Sequence, residues 1–246
     1  MKKILVSTTL LMALGFAPLF AAEEPAVKEE KPVKWEKTAA VGLTLTSGNS
    51  DTLLFTANAL GVKKWRKNEL SLGANMAYGE DSSVVNNQTF GAFGQYDRLI
   101  NEKLFGYGRV EALHDAIADV DLRLTIGPGA GYFFIKNDKT TLRAEIGPSF
   151  VIERLGTGDD SFATLRVAEK FTHKLGEKAR LWQTAELLPE VSDFSNYILT
   201  FEIGVEADLT EKMALRVTLQ DRYDSEPTPG RESNDIRLVS GISYKF

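Results

Sequence analysis

The C-terminal stretch Asp235-Ile-Arg-Leu-Val-Ser-Gly-Ile-Ser-Tyr-Lys-Phe246 decides the fold class of this chain. Apolar and polar residues alternate along most of it, and its outward apolar set is Ile236, Leu238, Ile242, Tyr244 and Phe246. Successive side chains of a β-strand point to opposite faces, so the alternation predicts a strand with one apolar face. Such a strand ending on two aromatic residues is typical of a transmembrane β-barrel, whose last strand pairs with its first and whose outer face contacts lipid.

The same alternation recurs from Trp35 to Phe246 and predicts about 12 strands, an even number as in bacterial single-chain barrels. It is clearest from Tyr197 to Leu209 and poorest from Ala179 to Glu190. Tight connections rich in Asn, Gly, Asp, Glu and Lys alternate with more open loops. Short turns of such barrels lie in the periplasm and longer loops lie outside the cell. We therefore predict an all-β fold, a single antiparallel transmembrane β-barrel with both termini periplasmic.

Aromatic residues fall at both ends of the predicted strands, where membrane proteins place them at the lipid–water interfaces. The predicted aromatic girdle comprises Trp35, Trp65, Trp182, Tyr78, Phe90, Tyr197 and Tyr223. The alternative is a soluble sandwich or lipocalin-like barrel whose apolar faces form its core. Such a fold would not need aromatic residues at both rims.

The N-terminal residues predict export to the outer membrane of a Gram-negative bacterium. Residues 1–22 have a basic start, an apolar core and the small pair Ala21-Ala22, which indicates a signal peptide with an imperfect cleavage site. A hydrophobic N-terminal helix is the alternative. Residues 23–34 alternate in charge and contain Pro25 and Pro32, so we expect a disordered periplasmic leader before a barrel of residues 35–246. The absence of cysteine fits an oxidising compartment.

The inward face of the predicted barrel is the surface on which we expect function. The predicted lumen-lining residues are Arg123, Arg143, Glu145, Arg166, Lys170, Glu202, Glu206, Asp208, Arg216, Arg222 and Arg237. Charges of both signs either pair across the lumen and fill it, or line a narrow water path. A 12-stranded barrel lies between the filled eight-stranded barrels and the open porins. We therefore expect a structural barrel or a narrow passive channel for small solutes or ions.

A second hypothesis places an outer-membrane hydrolase at the rim, around His114 and Asp115. An Asp–His pair can activate water or a serine hydroxyl, as hydrolases require. No motif fixes a nucleophile, and a histidine among solvated acids is the simpler interpretation. The acidic rim loops could bind calcium or bridge lipopolysaccharide, but no ligand spacing indicates a metal site, so we predict no metal and no cofactor.

Expected partners are lipid and lipopolysaccharide of the outer membrane, with small solutes or ions in the lumen. A formal net charge of −5 makes nucleic acid a poor candidate. Loops that bind lipopolysaccharide or another partner are a third hypothesis for the function. We expect a monomer.

Glycines and prolines mark one pair of neighbouring strands. Gly127, Gly129 and Gly131 recur every two residues within a predicted strand, which excludes a phosphate loop because no helix follows. On the strand interpretation all three face the lumen and leave room there. Pro128 and Pro148 then face lipid nearly opposite each other, and because proline lacks an N–H donor the pair predicts a local weakness in the wall.

Several motifs resemble a family of salt-induced outer-membrane proteins, a bacterial domain of unknown function. The matching segments are 42–52 (GLTLTSGNSDT), Asp121-Leu-Arg123, 127–132 (GPGAGY), Gly147-Pro148 and the terminal Tyr-Lys-Phe. The resemblance spans residues 35–246 and implies an outer-membrane barrel linked to salt or osmotic stress, with no established catalytic residues. The terminus, through Tyr244 and Phe246, also resembles the signal that the barrel-assembly machinery recognises in outer-membrane barrels.

Overall fold

A computed structural model describes residues 34–46 and 52–246 of the chain. The predicted signal peptide and all of the predicted leader except Lys34 lie outside the described residues. The described residues form 12 strands. Their bounds are β1 Trp35–Thr46, β2 Thr52–Trp65, β3 Asn68–Asp81, β4 Val84–Leu99, β5 Leu104–Asp115, β6 Val120–Lys136, β7 Thr140–Leu155, β8 Gly158–Lys174, β9 Ala179–Pro189, β10 Tyr197–Asp208, β11 Met213–Asp224 and β12 Asn234–Lys245.

The strands form one closed antiparallel barrel in which each strand pairs with its neighbours in sequence and β12 pairs with β1. The predicted all-β, antiparallel, 12-stranded barrel is confirmed, and the periplasmic position of the termini stays a prediction. The connections before β4 and β8 are two-residue hairpin turns, because β4 begins at Val84 and β8 at Gly158. In the first of them Ser82 and Ser83 both adopt positive φ values, 51° and 65°. Positive φ at both central residues is the geometry of a two-residue type I′ turn, so the polar side chains there do not interrupt the hairpin.

One end of the barrel is built from turns of similar design. In the turn after β4, the Asn101 side chain accepts hydrogen bonds from the amides of Lys103 (2.9 Å) and Leu104 (2.8 Å). Asn137 does the same after β6, and the Thr210 hydroxyl oxygen does so after β10. These side chains satisfy amides that the strand ladder leaves free, which explains why short polar residues open these turns.

The outer face of the barrel is apolar and exposed. Outward side chains such as Leu43, Ile126 and Leu238 have more than half of their surface accessible. An apolar band of this kind is stable only against lipid or another apolar surface. Aromatic pairs flank it, with Tyr197 stacked on Tyr223 at one end and Tyr244 edge-on to Phe246 at the other. The described residues include no helix long and apolar enough to cross a membrane.

Among the irregularities in strand pairing, two concern the seam of the barrel and the proline pair. At the seam, β1 and β12 are in register only from Thr38↔Lys245 to Gly42↔Gly241, whereas β1 pairs with β2 along its whole length. Between β6 and β7, the register is continuous to Ile126↔Phe150 and resumes at Ala130↔Ile146. Pro128 and Pro148 lie opposite each other in that gap, as the sequence predicts. Each lacks the N–H that would bond the other's carbonyl, so one hydrogen-bonded pair of the ladder is missing.

Candidate functional site

Contacts between strands that are not neighbours in the sheet identify the side chains inside the barrel. Gln95 on β4 donates a hydrogen bond to Glu145 on β7 (3.2 Å). Arg123 on β6 forms an ion pair with Asp224 on β11 (2.8 Å). Such contacts can only cross the lumen, because the sheet is closed and these strands are separated along it. Glu145 and Arg123, two of the predicted lumen-lining residues, therefore lie inside the barrel.

Glu145 lies at the centre of the most buried part of the lumen, with 2% of its surface exposed. Its carboxylate pairs with Arg143 (3.0 Å), Arg166 (2.8 Å) and Lys170 (3.6 Å). The pairing extends outward, since Arg143 also binds Asp97 (2.8 Å) and Arg166 also binds Glu186 (2.6 Å). A buried charge is tolerated only when it is paired and hydrogen-bonded, and this cluster meets that condition.

Large aromatic side chains pack beside this cluster on glycines of the adjacent strand. Phe105 lies directly across from Gly131, and Tyr107 lies across from Gly129. A Cβ at either glycine would overlap the ring opposite it. The room predicted at the lumen face of Gly127, Gly129 and Gly131 is therefore occupied by rings from β5 at the last two positions. The rings also form cation–π contacts. The guanidinium of Arg143 lies 5.2 Å from the centre of the Phe105 ring.

We call the inward side chains of β4 to β9 the filled wall. Its aromatic members are Phe93, Phe105, Tyr107, Phe133, Phe162 and Trp182. Its charged members include Arg109 and Glu111, which pair with each other. The sequence alternation alone does not identify these aromatic rings as inward-facing. The signal that identifies four of these rings is a glycine directly across the strand pair, as at Phe93↔Gly73 and Trp182↔Gly204.

Trp182 corrects one prediction, because its ring lies inside the barrel and is not part of the aromatic girdle. Its Nε1–H donates to Glu202 (2.6 Å), and the Arg216 guanidinium lies 4.2 Å from its ring centre. Trp182 is directly opposite Gly204, and both face inward. The next residue, the polar Gln183, faces outward. This inversion explains the poor alternation of β9. The other predicted girdle residues lie on outward positions, for example Trp65 beside Tyr96 and Phe90 with 55% of its surface exposed.

A second charged cluster lies at the end of the barrel near the termini of the chain. Glu206, 1% exposed, accepts a hydrogen bond from Ser243 (3.0 Å) and pairs with Arg180 (3.2 Å). Lys245 lies 3.8 Å from Glu206 and 2.7 Å from Asp208. At the opposite end, Arg123 binds both Glu153 and Asp224. Ion pairs therefore occupy both ends as well as the centre.

The inward face of β1 to β3, which we call the open wall, is different. Between Thr38 and Gly42, Thr56 and Val62, and Ser71 and Gly79, its inward residues are small, apolar or neutral polar, and none is ionisable. Asn75 is exposed although it faces inward from the middle of β3, and inward Leu60 is 44% exposed. Water-accessible side chains on the inner face indicate space beside the open wall.

A cavity lies between the open wall and the last two strands. Its lining includes Thr56, Asn58 and Asn75 from the open wall, and Arg216, Gln220 and Arg237 from β11 and β12. Two polar atoms of this lining have no hydrogen-bond partner among the described residues: Thr56 Oγ1 and Arg237 Nε. Thr56 is 5% exposed, so its hydroxyl is nearly removed from bulk water. The cavity lining therefore contains polar atoms whose hydrogen bonds the described residues do not complete.

The structure does not bring the two rim candidates together. The His114 Nδ1 lies 2.9 Å from the backbone oxygen of Asp121, to which it donates. The Asp115 carboxylate points inward, 6% exposed, and accepts hydrogen bonds from Thr89 (3.3 Å) and the amides of Ile117 and Ala118. Consecutive residues of a strand point to opposite faces, so the proposed His114–Asp115 pair is corrected: the wall of the barrel separates them.

The rim loop after β9 carries an acid that stays ionised. Asp193 accepts hydrogen bonds from the hydroxyl (2.6 Å) and the amide (2.9 Å) of Ser195. These bonds hold the pKa of the Asp193 carboxyl below its ordinary value, because they stabilise the charged form. Among the described residues, no group of His, Asp and Glu is placed to hold a metal ion.

One protein-family model and several solved structures are similar to this chain. A protein-family model described as "Protein of unknown function, DUF481" matches residues 39–246. Among solved structures, the NanC porin has a TM-score of 0.54 at 8% identity, covering 86% of this chain and 100% of that chain. The KdgM porin has a TM-score of 0.49 at 9% identity (87% and 99% covered). The translocator domain of autotransporter NalP from Neisseria meningitidis has 0.46 at 12% identity (86% and 87% covered). A comparison with curated proteins gave no match.

Proposed function

The chain belongs to the family described as "Protein of unknown function, DUF481". That description gives no activity, and we propose from the lumen that the protein is a narrow passive channel of the bacterial outer membrane. The observation that carries the proposal is the exposure of inward residues at mid-barrel on the open wall, Asn75 and Leu60. A filled barrel would bury these inward side chains, as Glu145 and Phe105 are buried on the filled wall. The conducting path therefore runs along β1 to β3.

The surroundings of the barrel follow from the same proposal. Residues 1–22 direct export, the leader and both termini are periplasmic, and the C-terminal Tyr244 and Phe246 are read by the barrel-assembly machinery. The apolar outer face contacts lipid, and the rim loops contact lipopolysaccharide. We keep the link to salt or osmotic stress as part of this proposal. A deletion strain that grows normally across external salt concentrations would remove that link without affecting the channel.

Planar-bilayer recording of the refolded mature protein tests the channel. We expect discrete conductance steps that increase with salt concentration. The variant Asn75→Trp places a large ring on the open wall and is expected to reduce the step size at least severalfold. Leu72→Trp is the matched control, since Leu72 lies on the same strand but faces outward, and its steps are expected to equal those of the wild type.

The second candidate is a structural barrel without conductance, and the filled wall favours it. Ion pairs such as Arg123–Asp224 span the lumen and brace it mechanically. A folded wild-type barrel that stays silent in the bilayer at every salt concentration would establish this alternative and overturn the channel. Steps that are identical in the wild type and in Asn75→Trp would instead show that current bypasses the open wall.

A further inference from the structure

The last two strands place a column of arginines inside the barrel. On β11, Arg216 and Arg222 face inward, and on β12 Arg237 faces inward in register with Gln220. We call these three residues the arginine column. The column is adjacent to the open wall, because β12 pairs with β1. It therefore faces the part of the lumen where space remains, in contrast to the arginines of the filled wall, which are packed into ion pairs.

Arg237 has a guanidinium nitrogen without an acceptor among the described residues, although Asp235 lies two positions away on the same face of β12. Arg216 forms an ion pair with Glu202 (3.5 Å) and donates a hydrogen bond to the Thr218 hydroxyl (3.2 Å). Arg222 is directly opposite Asp235 in the ladder. Arg237 has only a long contact to Asn87 (3.4 Å), and within the described ranges it forms no ion pair. Its Nε has no acceptor. A guanidinium that is left partly unpaired in a narrow lumen attracts anions more strongly than one in water.

The facing side of the cavity adds a second free donor. Thr56 Oγ1 lines the same cavity as Arg237 and also has no partner. A buried hydroxyl and a guanidinium N–H without acceptors are costly to leave unpaired, and a ligand oxygen between them would remove that cost. Carboxylate and phosphate oxygens are the acceptors that guanidinium groups bind best. Neutral amides of Asn58, Asn75 and Gln220 complete the lining and offer further donors.

We propose that the path along the open wall conducts anions in preference to cations and that Arg237 and Thr56 form its binding subsite for small oxyanions, carboxylates or phosphates. This inference rests on the proposed channel and names the class of solute that the channel takes. No ionisable residue of the middle open wall opposes the column. The acids near the column lie on other strands: Asp235 beside Arg222 and Glu202 beside Arg216.

The reversal potential of the wild-type channel in a bilayer with a tenfold potassium chloride gradient is the primary test. We expect the sign of the reversal potential to show that chloride is more permeant than potassium. Arg237→Gln is expected to move the reversal potential toward zero and to lower the anion-to-cation permeability ratio severalfold. Arg237→Lys keeps the charge and is expected to retain the sign, which a merely structural role of the arginine would not predict.

The matched control is Arg154→Gln. Arg154 lies at the end of β7 with an exposed side chain, paired at 3.8 Å with Asp159, so its replacement removes one positive charge outside the lumen. Its reversal potential is expected to equal that of the wild type. An equal shift in Arg154→Gln and Arg237→Gln would overturn the assignment of selectivity to the column.

Two further outcomes separate the solute class from the channel itself. Potassium acetate and potassium phosphate gradients are each expected to give anion currents, and Thr56→Val is expected to reduce both relative to chloride. A conducting wild-type barrel that prefers cations, or one that passes chloride but excludes both oxyanions, would overturn this inference and leave the channel standing. A silent wild-type barrel would overturn both.

Discussion

At the scale of single residues, the lumen is organised by glycines that lie across from inward rings. Phe93, Phe105, Tyr107 and Trp182 each face a glycine on the neighbouring strand. An aromatic ring needs more width than one strand spacing provides, and the missing Cβ supplies it. The rings cover glycine backbone that would otherwise weaken the strand. The glycines are therefore packing positions of the filled wall.

Gly131→Ala tests this packing. The added methyl group would overlap the Phe105 ring, and we expect the free energy of unfolding to fall by about 1–3 kcal/mol, as for an overpacked core. Urea titration of the refolded protein measures the change. Gly108→Ala is the control, because Gly108 lies on β5 and has no atom near the position of an added Cβ. Equal effects of the two substitutions would contradict the role given to Gly131.

The sequence predicts the inward charges better than the inward rings. Residues such as Glu145, Arg166 and Glu206 are recognisable because a charge in an alternating strand belongs on the polar face. A ring is ambiguous, since it fits either the membrane interface or a packed lumen. The sequence therefore predicts Trp182 as part of the girdle, and only its register opposite Gly204 reveals that it faces inward. Whether a ring faces the lumen or the membrane depends on its neighbours on adjacent strands. The alternation within one strand does not contain that information.

At the scale of elements, strands and turns are the most predictable features of this chain. The turn residues Asn101, Asn137 and Thr210 mark where strands end, because their side chains replace missing ladder bonds. The two short hairpins at Ser82-Ser83 and after Leu155 are harder to predict from sequence, because polar residues there continue in the strand conformation beyond the apolar band. The opposition of Pro128 and Pro148 was predictable by counting from the turn between β6 and β7.

The proline pair predicts that β6 and β7 can be strengthened. Replacing both residues, Pro128→Val with Pro148→Val, restores two N–H donors that face each other's carbonyl oxygens. We expect a gain of about 1 kcal/mol per restored hydrogen bond in the free energy of unfolding. The single variants serve as internal controls, because each restores one donor and is expected to give about half of the gain. Unchanged stability in the double variant would show that the strands do not close at this position.

At the scale of the whole molecule, contacts across the lumen join distant parts of the chain. The ion pair from Arg123 to Asp224 connects β6 with β11, and the contact from Gln95 to Glu145 connects β4 with β7. Pairs of this kind fix the cross-section of the barrel, because neighbouring-strand bonds alone leave a sheet free to flatten. The closed topology was predictable from strand count, whereas the partition into a filled and an open wall depends on which inward side chains meet.

Asp224→Asn tests the brace. The substitution keeps the size of the side chain but removes its charge, and Arg123 retains Glu153. We expect a loss of about 1.5 kcal/mol in the free energy of unfolding, typical of a hydrogen bond to a charged group, and larger or noisier conductance steps. Asp159→Asn removes half of an exposed Arg–Asp pair and should change neither quantity. Smaller steps in Asp224→Asn would contradict a bracing role.

The short seam between β1 and β12 has a consequence for biogenesis. Pairing of the first strand with the last is the contact most distant in sequence and has the largest loop-closure cost, so we expect it to form late. The open wall and the arginine column lie on the two sides of that seam, whereas the filled wall consists of strands adjacent in sequence. An assembly intermediate would therefore already contain its packed half but not the water path. Completion of folding and the onset of permeability would then be a single event, and a half-inserted chain would not leak.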